Sequence, residues 1–177
     1  MNRVLVAFLL PLVVLLGWCG SLEWKLASGR EVRVAIQGYD PRDLLSGHYI
    51  QYSLDLNWLG TCPIDRNGDE VCICLEPMPA NPGYSIGTWS GTCAERPSTC
   101  AVSLRGQCNG SRFTADVEQY YIPESLAPAL ARVPQNASVI LKLDVEGRAH
   151  VQRVLVEEQS IEEYAAQVLQ STPQATN

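Results

Sequence analysis

Histidine is scarce in this chain: there are two, His48 and His150, far apart and without evident carboxylate partners. That scarcity leaves no Ser-His-Asp set to assemble and no imidazole to complete a zinc site beside the cysteines. Cys72-Ile-Cys74 also lacks the two-residue spacing of a zinc knuckle. No phosphate-binding glycine loop and no dinucleotide fingerprint occurs. Positive charge is thin as well. Of 13 basic residues only Arg3 precedes the first apolar run, so the rest of the chain sets 12 against 19 acidic residues, a net of −7. Such a surface, taken as a whole, repels nucleic-acid backbones and anionic lipid heads. Charged residues are 18% of the chain and apolar ones 46%, a globular composition rather than a disordered one.

What is present begins with a long apolar run. Residues 4–22 are uncharged and mostly Leu and Val. At about 1.5 Å per residue a helix of that length spans close to the ~30 Å hydrocarbon core of a bilayer. Pro11 is tolerable in such a helix. A cleaved signal peptide is the rival reading, but Trp18 and Cys19 occupy the place where small residues would mark a cleavage site. The run therefore predicts an uncleaved anchor in the bilayer, with Arg3 on the inner side and Trp18 and Trp24 near the outer interface. Beyond it, Cys62, Cys72, Cys74, Cys93, Cys100 and Cys108 fall in one stretch. An even set clustered outside an anchor reads as disulfides in an oxidising compartment. Six cysteines allow about 15 pairings. Local hairpins favour Cys62–Cys72 and Cys93–Cys100, which leaves Cys74–Cys108.

The chain divides into an anchor (1–22), a juxtamembrane linker (23–30), an extracytoplasmic β domain (31–157) with a disulfide-rich insertion (60–110), and a C-terminal helix and tail (158–177). Residues 31–37 and 48–56 alternate apolar and polar, as half-buried strands do. Asn67-Gly68 marks a tight hairpin into 71–75, where Val71, Ile73 and Leu75 face one way and Cys72 and Cys74 the other. Residues 84–110 read as irregular, poor in large aliphatics and closed covalently. Residues 112–121 read as one strand, and Pro123 opens a short helix toward Leu130. Residues 139–145 and 149–156 form a hairpin around Glu146-Gly147. Ile161, Tyr164, Ala165, Val168 and Leu169 sit at helical spacing and predict an amphipathic helix docked on the sheet. The expected fold is mainly β (α+β): an N-terminal transmembrane helix, then an antiparallel and partly barrel-like β domain with a short helix and a C-terminal helix.

One stretch organises the rest. Between residues 38 and 56, Asp40, Pro41, Arg42, Asp43, Leu44, Leu45, Gly47 and Tyr49 form a structured loop that feeds a strand. Pro41 pushes Asp40 out of the helical region, and Gly47 marks the turn into the strand. This run resembles the motif of the GDYXXLXY family, membrane-anchored bacterial proteins. The departures are His48 where the family has Asp, Tyr52 at its Leu and Leu54 at its final Tyr. Segments 71–77, 119–124 and 148–157 resemble later family segments, in order. The resemblance implies a bacterial inner-membrane protein, single-pass, with its C-terminal domain in the periplasm or outside. It implies a companion role to an integral membrane protein and lends no activity.

Asp40, Arg42 and Asp43 admit two roles, bracing the loop through forked hydrogen bonds or docking a partner. The strand–loop–strand order also looks a little like the catalytic segment of type I signal peptidases. Gln37 and Gly38 stand where those enzymes need a serine, Ser46 lies on the wrong side of the leucines, and Lys142 would be a base without a nucleophile. The expected function is accordingly non-catalytic, accessory or binding, with no cofactor, no metal and no nucleic acid. The alternative is an extracytoplasmic enzyme or small-ligand domain with a site beside residues 40–43.

Overall fold

The computed structural model describes residues 2–38, 49–57, 62, 70–109, 112–130 and 134–171. The apolar run lies in helix α1 (Asn2–Ala27), whose side chains are described at 9–21 and 23. Among the described residues no helix is long and apolar enough to cross a membrane. Helix α1 occupies most of the expected linker, so only Ser28 and Gly29 separate it from the first strand.

The body is mainly β, as its alternating segments predict. It consists of two antiparallel sheets curled as half-barrels, with short helices. The first sheet is built from β1 (Arg30–Gly38), β2 (Tyr49–Asp55), β7 (Gln119–Tyr121), β8 (Ala137–Leu143), β9 (Ala149–Val156) and β10 (Gln159–Ser160), in the order β10-β9-β8-β1-β2-β7. The second contains β3 (Glu70–Pro77), β4 (Ser85–Thr92), β5 (Ser103–Asn109) and β6 (Arg112–Thr114), in the order β4-β3-β5-β6. Six of the strands supply buried side chains to a shared core: Val32, Val34 and Ile36 from β1, Ile50 and Tyr52 from β2, Ile73 and Leu75 from β3, Leu104 from β5, Val139 and Leu141 from β8, and Val154 and Val156 from β9. Burying such side chains contributes roughly 1.5–3 kcal/mol each.

Backbone hydrogen bonds join the two sheets, from Gly87 N to Leu56 O (2.9 Å) and from Arg105 N to Gly147 O (2.8 Å). Gly147 has no substitute there. Its φ is +84°, and an added Cβ would lie 2.9 Å from the carbonyl oxygen of Ser103. Arg33 ties further elements together. Its Nε donates to the Oγ of buried Ser138 (2.9 Å), Nη1 to Glu158 (2.8 Å) and Nη2 to the Glu157 carbonyl, while the guanidinium lies 4.5 Å from the Tyr84 ring centroid. Glu158 is 84% exposed, so that ion pair adds little, and the bonds to Ser138 and the Glu157 carbonyl carry the brace.

The 84–110 segment departs from the irregular coil expected of it. It supplies β4 and β5 on either side of β3, with a single 3-10 turn (Cys93–Glu95) between them. Its Gly, Ser and Thr are poor core residues, which hid the strands from a reading of apolar alternation. Strands β4 and β5 are both antiparallel to β3. The chain between them must therefore cross β3, from beside Val71 to beside Cys74. That crossing passes over the face of β3 that carries Cys72 and Cys74.

This topology overturns the hairpin pairings. The disulfides are Cys72–Cys93, Cys74–Cys100 and Cys62–Cys108. The first two staple the crossing to β3 on the side away from the core, where the alternation had placed Cys72 and Cys74. The third lies on the opposite side, packed with Val71 and Phe113. The expected hairpin turn at 65–69 lies outside the described residues.

Residues 112–121 form two strands rather than one. Asp116, at φ +56°, breaks them apart. The hairpin β8–β9 forms as read, and the short helix is a 3-10 helix (Glu124–Leu130). Helix α2 (Ile161–Ser171) docks as expected, burying Ile161 and Ala165. A reciprocal cap starts it: Glu163 N donates to Ser160 Oγ (3.3 Å), and Ser160 N donates to the Glu163 carboxylate (3.2 Å).

Candidate functional site

Seven of the eight motif residues, Asp40, Pro41, Arg42, Asp43, Leu44, Leu45 and Gly47, lie outside the described residues, as do Ser46 and His48. The eighth, Tyr49, opens β2. The residues on either side of the segment pair within the first sheet. Gly38 at the end of β1 pairs with Tyr52, and Tyr49 pairs with Tyr121 on β7. The rings of Tyr49 and Tyr121 are 6.1 Å apart and tilted by 57°, with Tyr121 68% exposed. The motif segment is thus rooted within three residues of Tyr52 at both ends.

A cleft of about 620 Å³ opens beside that root, lined by Gln51 and Tyr52 of β2, Arg112 and Thr114 of β6, Gln119 of β7, and Asp116 and Glu118 from the turn between β6 and β7. Its wall is built by hydrogen bonds. The Tyr52 hydroxyl donates to the Val117 carbonyl, and Tyr52 N donates to Glu118 O (3.0 Å). The two carboxylate oxygens of Glu118 accept from Ala115 N (2.8 Å) and Val117 N (3.0 Å). These bonds hold the turn against β2 despite the left-handed conformation of Asp116.

The electrostatics follow from that construction. Burial above all, with the nearby charge of Glu118 and then Tyr120, raises the Tyr52 hydroxyl well beyond the ordinary phenol range. Tyr120, the next residue along β7, donates to Glu162 of α2 (2.7 Å). Burial, followed by that bond and the Glu162 charge, raises its hydroxyl to about 12. Both phenols are donors at neutral pH, and the Glu118 carboxylate already serves two backbone amides. The cleft therefore offers hydrogen-bonding groups and the mixed charges of Arg112 and Asp116, an arrangement suited to recognition. Among the described residues no group of three or more His, Cys, Asp or Glu side chains could hold a metal.

Lys142 stands on β8 opposite Glu31, at the end of β1 remote from Gly38. Seven residues of strand separate the two levels, about 23 Å. His150 is exposed and pairs with Lys142. Neither reaches the root of the motif segment.

Sequence reasoning missed the cleft because its residues are ordinary ones drawn from two stretches far apart in the chain, 51–52 and 112–119. One signal was available: Glu118 lies three residues past Ala115 and two past an Asp, the arrangement of a side chain that caps a turn. No curated protein and no solved structure matches the chain. The GDYXXLXY protein family does match it, over residues 11–154, a span that takes in the motif segment, all six paired cysteines and the strands through most of β9. The chain belongs to the GDYXXLXY protein family.

Proposed function

We propose that this protein is a single-pass, membrane-tethered accessory protein of a bacterial inner membrane, whose β domain stands outside the cytosol and binds or supports an integral membrane protein. The observation that carries the reading is the surface of α1. Its described apolar side chains are exposed on every side: Leu10, Val13, Leu16 and Trp18 are 62, 63, 64 and 68% exposed. A helix apolar all round needs an apolar surrounding. The described side chains of α1, at 9–21 and 23, are too short a run to cross a bilayer by themselves, and it is the uncharged sequence of residues 4–22 that supplies a run matching the hydrocarbon core. Three disulfides support an oxidising compartment for the β domain.

Crosslinking of the full chain in native membranes, followed by mass spectrometry, tests the companion role. A stable integral membrane neighbour that is lost in Arg42→Ala supports it, and the absence of any stable neighbour refutes it. A second reading, a small-ligand domain, draws support from the cleft at the root of the motif segment. It requires a polar small molecule that raises the melting temperature of the wild type and not of Gln51→Ala.

A further inference from the structure

A second cleft, of about 280 Å³, lies where α1 meets the β domain. It is lined by Ser28, Arg30, Arg96, Ser103, Leu143, Asp144 and Val145 among others. Arg30 continues the inward row of β1 one step beyond Val32, which brings it to the mouth between the sheets. Arg96 belongs to the crossing over β3, and its Nη1 donates to the Oγ of Ser103 (2.8 Å), itself buried. That bond uses one of five guanidinium N–H donors. The neighbouring negative charges are partly engaged. Asp144 Oδ1 accepts from Glu146 N (2.8 Å) and Arg148 N (2.9 Å), while Glu146 pairs with Arg148 (2.9 Å). Val145, at the tip of the β8–β9 turn, is 80% exposed.

Two guanidiniums, an unburied apolar side chain at the rim and a link of two residues to α1 are the chemistry of a lipid interface. We infer that this cleft binds the phosphate of a phospholipid headgroup between Arg30 and Arg96, with Val145 entering the interfacial layer. The inference rests on the membrane-anchor reading of α1. It also requires that a local basic pair outweigh a surface that is acidic as a whole, which screening at short range permits. Arg is suited to the task because its planar fork matches phosphate oxygens two at a time.

The test uses the full chain, disulfides intact, in dodecyl maltoside micelles with phosphatidylglycerol added, and reads lipid adducts by native mass spectrometry. One bound lipid per chain is expected. At about one basic-residue increment each, Arg30→Gln lowers occupancy roughly five-fold, and Arg30→Gln with Arg96→Gln lowers it on the order of thirty-fold. Arg30 is exposed, so its variant carries the test if the second substitution impairs folding. Adducts unchanged in both variants overturn the site. Inorganic phosphate that displaces the lipid at equal concentration overturns the lipid assignment in favour of a soluble phosphate. Alkaline carbonate extraction separates the two levels: wild type retained in the membrane pellet while lipid adducts ignore the arginines sinks only this site. Release of the wild type by carbonate sinks the anchor reading, and this site with it.

Discussion

Glu118 occupies a position where one side chain decides the shape of a cleft wall. Its carboxylate receives two backbone amides from a turn that Asp116 holds in a left-handed conformation. Glu118→Ala leaves both amides without that acceptor, at a cost of about 1–3 kcal/mol. Urea unfolding with the disulfides intact measures it, and a midpoint equal to that of the wild type would show that the turn stands without its cap. The phenols beside it make a second prediction, in pH. Tyr120 is raised from 10.0 to about 12, and Tyr52 is raised further. Below pH 10 folded and unfolded chains are both protonated at these groups, so stability there is unaffected. Above it the unfolded chain ionises first, and stability falls as pH rises through 10 toward 12. Ultraviolet titration of tyrosinate should therefore show late-ionising phenols in the folded protein, and Tyr120→Phe should remove one of them. Seven tyrosines titrating together near 10 would contradict the burial of both.

Among the elements, the crossing between β4 and β5 is the one whose geometry is set by covalent bonds. It contains few large apolar side chains, and its Cys93 and Cys100 fasten it to Cys72 and Cys74 of β3. Chain entropy ranks the three bonds. The 46-residue separation of Cys62–Cys108 corresponds to about 4 kcal/mol, and the separations of 21 and 26 to about 3.3 and 3.5 kcal/mol. Replacing each pair by alanine should lower stability in that order, read from denaturant midpoints. Peptide mapping under non-reducing conditions checks the connectivity itself, and recovery of a Cys62–Cys72 peptide would refute the crossing as described. The pairings could not be read from the cysteine spacing, because spacing favours neighbours along the chain. Pairing here follows neighbours in the sheet, and those depend on β4 and β5 taking opposite edges of β3.

At the scale of the molecule, the compartment makes the prediction. If the β domain stands outside the cytosol, an impermeant alkylating reagent applied to intact cells after reduction should label Cys93 and Cys100; labelling that requires lysis would reverse the orientation. Much of the plan was legible in advance. The two-residue alternation of residues 31–37 and 48–56 and the Glu146-Gly147 turn fixed two strands and a hairpin. The spacing of Ile161, Tyr164 and Ala165 fixed α2, since each local pattern buries its apolar row in one way only. The sequence by itself also determined the apolar leader, the even set of cysteines and the family motif, because these are properties of composition and order. Tertiary structure alone decided which cysteines meet, that Gly- and Ser-rich segments become β4 and β5, and that Gln51, Arg112 and Glu118 share a cleft. Those outcomes depend on strand order and register, and contacts between residues distant in sequence are specified only when the sheets close around a common core.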